Sequence, residues 1–499
     1  MANPLKKLAG QTAVYGLSTI VGRLLNYFLI PLYTRMFIPE EFGIFTEFYA
    51  YVSFLVIILT YGMETALFNF SVKEKNSDTV YTTALISLFV STLVFLVPVF
   101  FFKQSLSDII RHPSHPEYIV WIALIIALDA FTSIPFARLR QQNKAGRFAS
   151  IKMINIGANI GFNLFFIALC KPAYENPASF FHGYALRLYN PEIGIGYIFI
   201  SNLIASLVAL IMLSPDIFRV KLRFDLALWK RMMIYALPLL LAGLAGMTNE
   251  TGDRIMLKYL LPKHLAEAQV GIYGACYRIS IIMTIFIQTF RYAAEPFFFA
   301  HAKENNAKEI YADVMKYFVI ICSVIFLGTM INMTWIQQFV GEKYRSGLPV
   351  VPILLIANLC LGVFFNLSIW YKLSGETRFG AYLTVYGALV TLVLNFLWIP
   401  STGYLGGYMG SAWATLICYS SMMVISYFFG QRRYYVAYDL SRILGYLFIS
   451  LALYALSRFI HTGHLLTNLA LKNVLLVLFL FLVYRFEKGD LQIIASRKT

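Results

Sequence analysis

Apolar runs of about twenty residues, separated by short charged or Gly/Pro-containing stretches, recur along almost the whole chain. A helix needs roughly 20 mostly apolar residues to cross a bilayer, and a window of that length predicts fourteen spans. They lie at 11–33, 43–68, 79–102, 117–136, 148–170, 192–213, 232–260, 271–298, 314–339, 350–371, 379–399, 409–429, 441–460 and 467–485. The first run, 12–37, carries Arg23 and Pro31 and exceeds the ~7–15-residue core of a cleaved signal, so it reads as a retained first span. No connection is long enough for a folded aqueous domain. The longest on one side is 171–191, and the longest on the other is 214–231.

Lys and Arg in alternate connections test this frame, because cytoplasmic loops retain basic residues. With the N-terminus inside, inside segments hold 25 and outside segments 10, counting Lys258 among the latter. The bias predicts that both termini are cytoplasmic. The 214–231 connection carries five basic residues interleaved with Phe224, Leu226, Leu228 and Trp229. That pattern predicts a short amphipathic helix lying on the anionic leaflet.

Composition sharpens the class. Of 499 residues, 59% are apolar and 13% charged, against about 45–50% and 25% in soluble domains. Disorder, coiled coil, a disulfide-stapled domain and an ordinary soluble enzyme are excluded. The net charge of +16 belongs to inside loops rather than to a nucleic-acid surface, so no nucleic-acid partner is expected. The cysteines, Cys170, Cys276, Cys322, Cys360 and Cys418, sit in or beside apolar runs without CxxC or Cys/His spacing, so no metal is indicated.

An internal repeat divides the chain. Tyr15-Gly16-Leu17 is matched by Tyr235-Ala236-Leu237-Pro238, and Gly43-Ile44-Phe45 by Gly271-Ile272-Tyr273. Glu64 is matched by Glu295, and Gly194/Gly196 by Gly406/Gly407. Six spans per half give both halves the same orientation, hence a parallel repeat with a path between lobes. The expected organisation is an N-terminal six-helix lobe at 1–213, a cytoplasmic linker at 214–231 and a second six-helix lobe at 232–429. Two additional spans and a cytoplasmic tail occupy 430–499.

Charge inside spans is the informative chemistry, since an ionised side chain at mid-bilayer costs about 2.5–3.5 kcal/mol on insertion scales. The candidates are Arg23, Arg254, Arg278 and Arg291, with the acids Glu47, Glu64, Asp129, Glu250, Asp253 and Glu295. Lys152 and Lys472 lie near span ends and are read as snorkelling. Most candidates fall in spans one, two, seven and eight, which are equivalent pairs under the repeat. Met247-Thr248-Asn249-Glu250-Thr251-Gly252-Asp253-Arg254 interrupts span seven, as transport sites often do. Glu250 and Arg254, four apart, also suit simple neutralisation on one face. Guanidinium groups bind phosphate oxygens bidentately, so arginines at a cavity suit a pyrophosphate. Glu47, Glu64, Glu250, Asp253 and Glu295 are candidates to line the cavity or carry a coupling ion, H+ or Na+; no other cofactor is expected.

These residues carry a resemblance. The chain resembles the polysaccharide-transporter branch of the multidrug/oligosaccharidyl-lipid/polysaccharide (MOP) exporter superfamily, the Wzx-type flippases. The similarity rests on Gly22-Arg23, Pro31-Leu32-Tyr33-Thr34-Arg35 and Pro39-Glu40-Glu41-Phe42-Gly43-Ile44-Phe45. It continues through Tyr235-Ala236-Leu237-Pro238, Gly252-Asp253-Arg254-Ile255-Met256-Leu257, Val270-Gly271-Ile272-Tyr273 and Pro400, Gly406-Gly407 and Gly410-Ser411-Ala412-Trp413-Ala414-Thr415. It implies an all-α fold of two six-helix lobes in a V plus two helices. The implied activity is movement of undecaprenyl-pyrophosphate-linked oligosaccharide across the bacterial inner membrane by alternating access. Charged residues of the first, second, seventh and eighth helices then serve the pyrophosphate, a place shared by Arg23, Asp253, Arg254 and Arg278. Implied partners are the lipid-linked oligosaccharide, membrane lipids, and a polysaccharide polymerase with its glycosyltransferases.

Three other functions fit parts of the pattern. A lipid II flippase has similar topology and charges. A cation-coupled multidrug antiporter calls for acids without neighbouring arginines. An integral polymerase or ligase calls for catalytic groups in large outer loops, where this chain has only isolated His112, His115 and His264.

Overall fold

The computed structural model describes residues 20–22, 24–74, 76–302, 304–461 and 463–496. Among them there are helices and turns but no strand. Twelve helices are long and apolar enough to cross a membrane, and a bent pair, Lys263–Ile279 with Ile281–Phe299, makes thirteen if counted as one span. Each coincides with a span expected from the apolar pattern. Most of the first span, Arg23 included, lies outside the described residues.

The chain divides into two units, Met1–Gly271 and Ile272–Thr499. The first contains α1 (Ile30–Met36), α2 (Pro39–Thr60), α3 (Met63–Lys73), α4 (Ser77–Phe101), α5 (Pro116–Gln141), α6 (Ala145–Asn163), α7 (Gly196–Phe218) and α8 (Leu226–Leu260). The helix α9 (Lys263–Ile279) begins in it. Local chemistry sets these boundaries. Pro39 opens α2, where its missing N–H costs nothing, and the Glu41 carboxylate accepts from the Ile38 N–H at 3.0 Å. The Asn76 side chain accepts from the backbone of Asp78 and Thr79 to start α4, and Asp225 caps α8 through Leu228 N–H. Between α2 and α3, Tyr61 and Gly62 are both left-handed (φ 33° and 73°), so one span is built from two helices. A Cβ on Gly62 would also lie 3.0 Å from the Ala236 carbonyl oxygen.

Within this unit α5 packs on α2, α4 and α7, α6 packs on α7, and α8 packs on α2 and α3. A buried cluster of Met63, Ala66, Leu67, Val80, Tyr81, Ala84 and Leu85 takes in Leu228, Met232 and Ala236 from the start of α8. The connection 214–231 therefore holds no separate surface helix. Leu226, Leu228 and Trp229 form the first turn of α8, because Asp225 caps there and the Trp229 indole donates to Ser87 Oγ at 2.7 Å. The backbone before it is tied down as well, with Thr82 Oγ1 donating to the Arg223 carbonyl at 2.8 Å.

The second unit contains α10 (Ile281–His301), α11 (Ala307–Ile331), α12 (Val350–Leu367), α13 (Arg378–Trp398), α14 (Gly407–Arg433), α15 (Leu440–Ser457) and α16 (Leu465–Ser496). Here α14 packs on α12 and α13, while the last two helices pack on each other and on α11. Their attachment is polar as well as apolar. The Glu487 carboxylate, wholly buried, meets Lys316 Nζ at 2.8 Å and accepts from Tyr446 OH at 2.6 Å.

Candidate functional site

Inside the first unit, α3, α5, α6 and α7 enclose a hollow of about 400 Å³. Helical spacing aims its lining. Asp129, Thr132, Ser133, Phe136 and Arg140 share one face of α5; Phe148, Lys152 and Asn155 share a face of α6; Asn202, Ser206 and Ala209 share a face of α7. Glu64 of α3 completes it. Its volume falls within the ~300–1,000 Å³ of small-molecule sites, and its lining is far more polar than the surrounding helices.

Four lining groups are ionisable and balance in sign. Glu64 pairs with Arg140, whose guanidinium also lies 5.3 Å from the Phe68 ring centre. The Asp129 carboxylate is exposed into the hollow and accepts from Ser206 Oγ at 2.9 Å. Lys152 places its ammonium 4.2 Å from the Phe136 ring centre and makes no ion pair within 4.0 Å among the described residues. Lys152 therefore does not snorkel to a headgroup. It is a cation turned into protein, as an intramembrane charge facing a water-filled cavity is expected to be. Asn155 Nδ2 donates to the Ala205 carbonyl at 2.8 Å, and Asn202 Nδ2 to Tyr49 OH at 2.5 Å. The surface offers carboxylate acceptors, amide and hydroxyl groups, and one ammonium. It suits a hydroxyl-rich or anionic ligand.

The same unit contains a second charged group of opposite character. Glu47 is fully buried, Lys258 is 1% exposed and His112 is buried beside them. Lys258 Nζ lies 3.0 Å from Glu47 Oε2, 2.8 Å from Glu267 Oε1 and 3.2 Å from His112 Nε2. His112 Nε2 is 2.9 Å from Glu47 Oε2. Tyr51 OH donates to Glu47 Oε1 at 2.8 Å and meets Tyr259 OH at 2.9 Å. Lys258 is therefore not an outside-loop residue but part of α8, and His112 is not isolated.

The expected site residues are distributed as follows. Arg254 is 6% exposed, pairs with Asp253 at 2.7 Å and donates to the Glu250 carbonyl, while the Glu250 side chain is exposed. Glu47 and Glu64 fall in the two groups above. In the second unit, Arg278 is half-buried just before the 49° bend between α9 and α10. Arg291 stacks 3.9 Å from the Phe365 ring centre, 3.8 Å from Glu295, which also pairs with Lys372 at 2.6 Å. Among the described residues no three His, Cys, Asp or Glu gather to hold a metal.

A polysaccharide biosynthesis protein family model matches residues 8–301. The chain belongs to this family. It is the polysaccharide-transporter branch of the MOP superfamily that the motifs resemble, and the protein is a multi-pass membrane protein. Solved structures agree on the fold. The lipid II flippase MurJ in an inward closed conformation superposes with a TM-score of 0.75 at 13% identity, covering 95% of this chain and 99% of that one. An inward-facing multidrug resistance MATE transporter of the MOP superfamily gives 0.66 at 15% identity, covering 83% and 94%. A MATE transporter in a bent conformation gives 0.56 at 14%, covering 87% and 98%. No curated protein sequence matches the chain.

Proposed function

We propose that this protein is a flippase that carries an undecaprenyl-pyrophosphate-linked oligosaccharide across the bacterial inner membrane by alternating access. The observation that carries the reading is the charged, amide-lined hollow within an otherwise apolar bundle of a polysaccharide biosynthesis protein. An aqueous hollow accommodates sugar hydroxyls while the lipid tail stays in the bilayer. Arg23, Arg254, Arg278 and Arg291 are assigned to the pyrophosphate. Arg254 is held by Asp253 at 2.7 Å, so binding exchanges that carboxylate for phosphate oxygens, which accept two parallel guanidinium bonds. Glu64, Glu250, Asp253 and Glu295 are the groups proposed to carry H+ or Na+ through the cycle. Both termini are placed in the cytoplasm, and export is placed beside a polymerase and glycosyltransferases. No chemical step is assigned to the chain.

Replacing Arg23 and Arg254 together by Ala is expected to abolish surface-polysaccharide export while the protein stays at its normal level in the membrane. Normal export in that double variant removes the assignment. The match to the lipid II flippase along 95% of this chain favours a second reading, in which the cargo is the peptidoglycan precursor. Growth of a strain depleted of its own lipid II flippase, rescued by this protein, decides for the second.

A further inference from the structure

The glycines of the repeated Gly-Ile-aromatic motif meet each other. A Cβ built on Gly43 would lie 2.1 Å from the Glu267 carbonyl oxygen, and one built on Gly271 would lie 1.9 Å from the Pro39 carbonyl oxygen. Glu267 precedes Gly271 by four residues, and Pro39 precedes Gly43 by four. Each glycine therefore touches the position one turn before its counterpart, the reciprocity that a two-fold axis between the helices imposes. So α2 and α9 cross backbone to backbone where the two halves of the repeat meet.

Beside this symmetric crossing lies an asymmetric fastening. Glu47 is one turn beyond Gly43, and Glu267 one turn before Gly271. Between the two carboxylates sits the Lys258 ammonium, 3.0 Å from Glu47 Oε2 and 2.8 Å from Glu267 Oε1, with His112 Nε2 beside it at 3.2 Å and 2.9 Å from the same Glu47 oxygen. Arg111 covers the site, donating to the Lys258 carbonyl at 3.1 Å with its guanidinium 5.1 Å from the Tyr259 ring centre. One carboxylate belongs to the first half of the repeat. The ammonium and the other carboxylate belong to the second.

An ionic seal behaves differently from an apolar one. Burying these charges costs much of what their attraction returns, so a buried ion pair is often no more stabilising than apolar residues of the same size. Separation restores hydration to each charged group, which offsets part of the attraction lost. A contact meant only to hold would be better made of leucine. This one is built to let go.

We propose that Glu47, His112, Lys258 and Glu267 form a latch over the Gly43–Gly271 crossing, closing one end of the translocation path in this conformation and releasing it during the cycle. The latch lies at the end of the spans bearing the 37–38, 102–115 and 261–262 connections, which N-in topology places outside. It rests on the transport reading but not on the identity of the cargo.

Thr251, seven residues before Lys258 on α8, is half-buried inward of the latch, and the five native cysteines are buried. Spheroplasts carrying Thr251→Cys are treated with a membrane-impermeant maleimide in the absence of substrate. With the latch intact, labelling is slow. Adding Lys258→Met accelerates it by about tenfold or more, the change expected when a two-state closure loses its fastening. Adding Glu267→Gln, at a partly exposed carboxylate that leaves the Glu47–Lys258 pair in place, accelerates it a few-fold and covers the case in which Lys258→Met fails to reach the membrane. Unchanged labelling with either variant present at the parent level overturns the latch. Loss of export with unchanged labelling would instead bear on the transport site alone.

Discussion

The hollow and the latch contain the same kinds of residue and lie in the same unit, yet they are opposites in solvation. In the hollow, the Glu64 and Arg140 side chains remain 38% and 34% exposed, and among the described residues Lys152 has no carboxylate within 4.0 Å. In the latch, the Glu47 and Lys258 side chains are 1% and 2% exposed, and the ammonium sits between two carboxylates at 3.0 and 2.8 Å. Residue type therefore does not separate a ligand-facing group from a closing contact. Saturation does. A charge whose bonds are complete has nothing left to offer a ligand, whereas one facing a void keeps its capacity to bind.

Three substitutions test that contrast. The largest effect is expected from Lys258→Met, which strands two carboxylates and should destabilise the protein by about 3–5 kcal/mol, as breaking one side of a buried pair does. Thermal unfolding in detergent measures it, and Glu47→Gln added to the same chain should restore part of the loss. A Tm equal to the parent's would mean that the cluster is hydrated. Lys152→Met in the hollow should leave Tm near the parent value. It should cut export by about tenfold or more, because a charge-assisted hydrogen bond contributes about 1.5–3 kcal/mol. A large fall in Tm with it would make Lys152 structural and erase the distinction. The smallest change is expected from Glu64→Gln, since a half-exposed ion pair is worth about 0–1 kcal/mol. Its Tm should scarcely move.

The apolar pattern made the spans legible because bilayer thickness fixes their length, and thirteen of the expected fourteen have helices in place. Glu47, Glu64 and Asp129 were legible as well, since an acid in a long apolar run has few places to go. Lys258, His112 and Glu267 were not. Each sits at a helix end or in a connection, where a charge resembles an ordinary solvated group. Their meeting spans separations such as Glu47 to Lys258 that no local pattern encodes. Lys152 was misread for a related reason, because closeness to a span end allows an exit to the headgroups, whereas its ammonium lies over the Phe136 ring at the wall of the hollow. Asn155 and Asn202 carry no charge, so only their spacing with Lys152 and Ser206 could have drawn attention to them. The repeat exposed the equivalence of Gly43 and Gly271, while their contact required coordinates.

The joint at Tyr61 and Gly62, where two successive left-handed residues part α2 from α3, makes the second span articulated. Rotation there needs no melting of either helix, since the ladder is already interrupted. A bulky side chain at position 62 would strain the left-handed backbone and press on Ala236, turning a pivot into a splint.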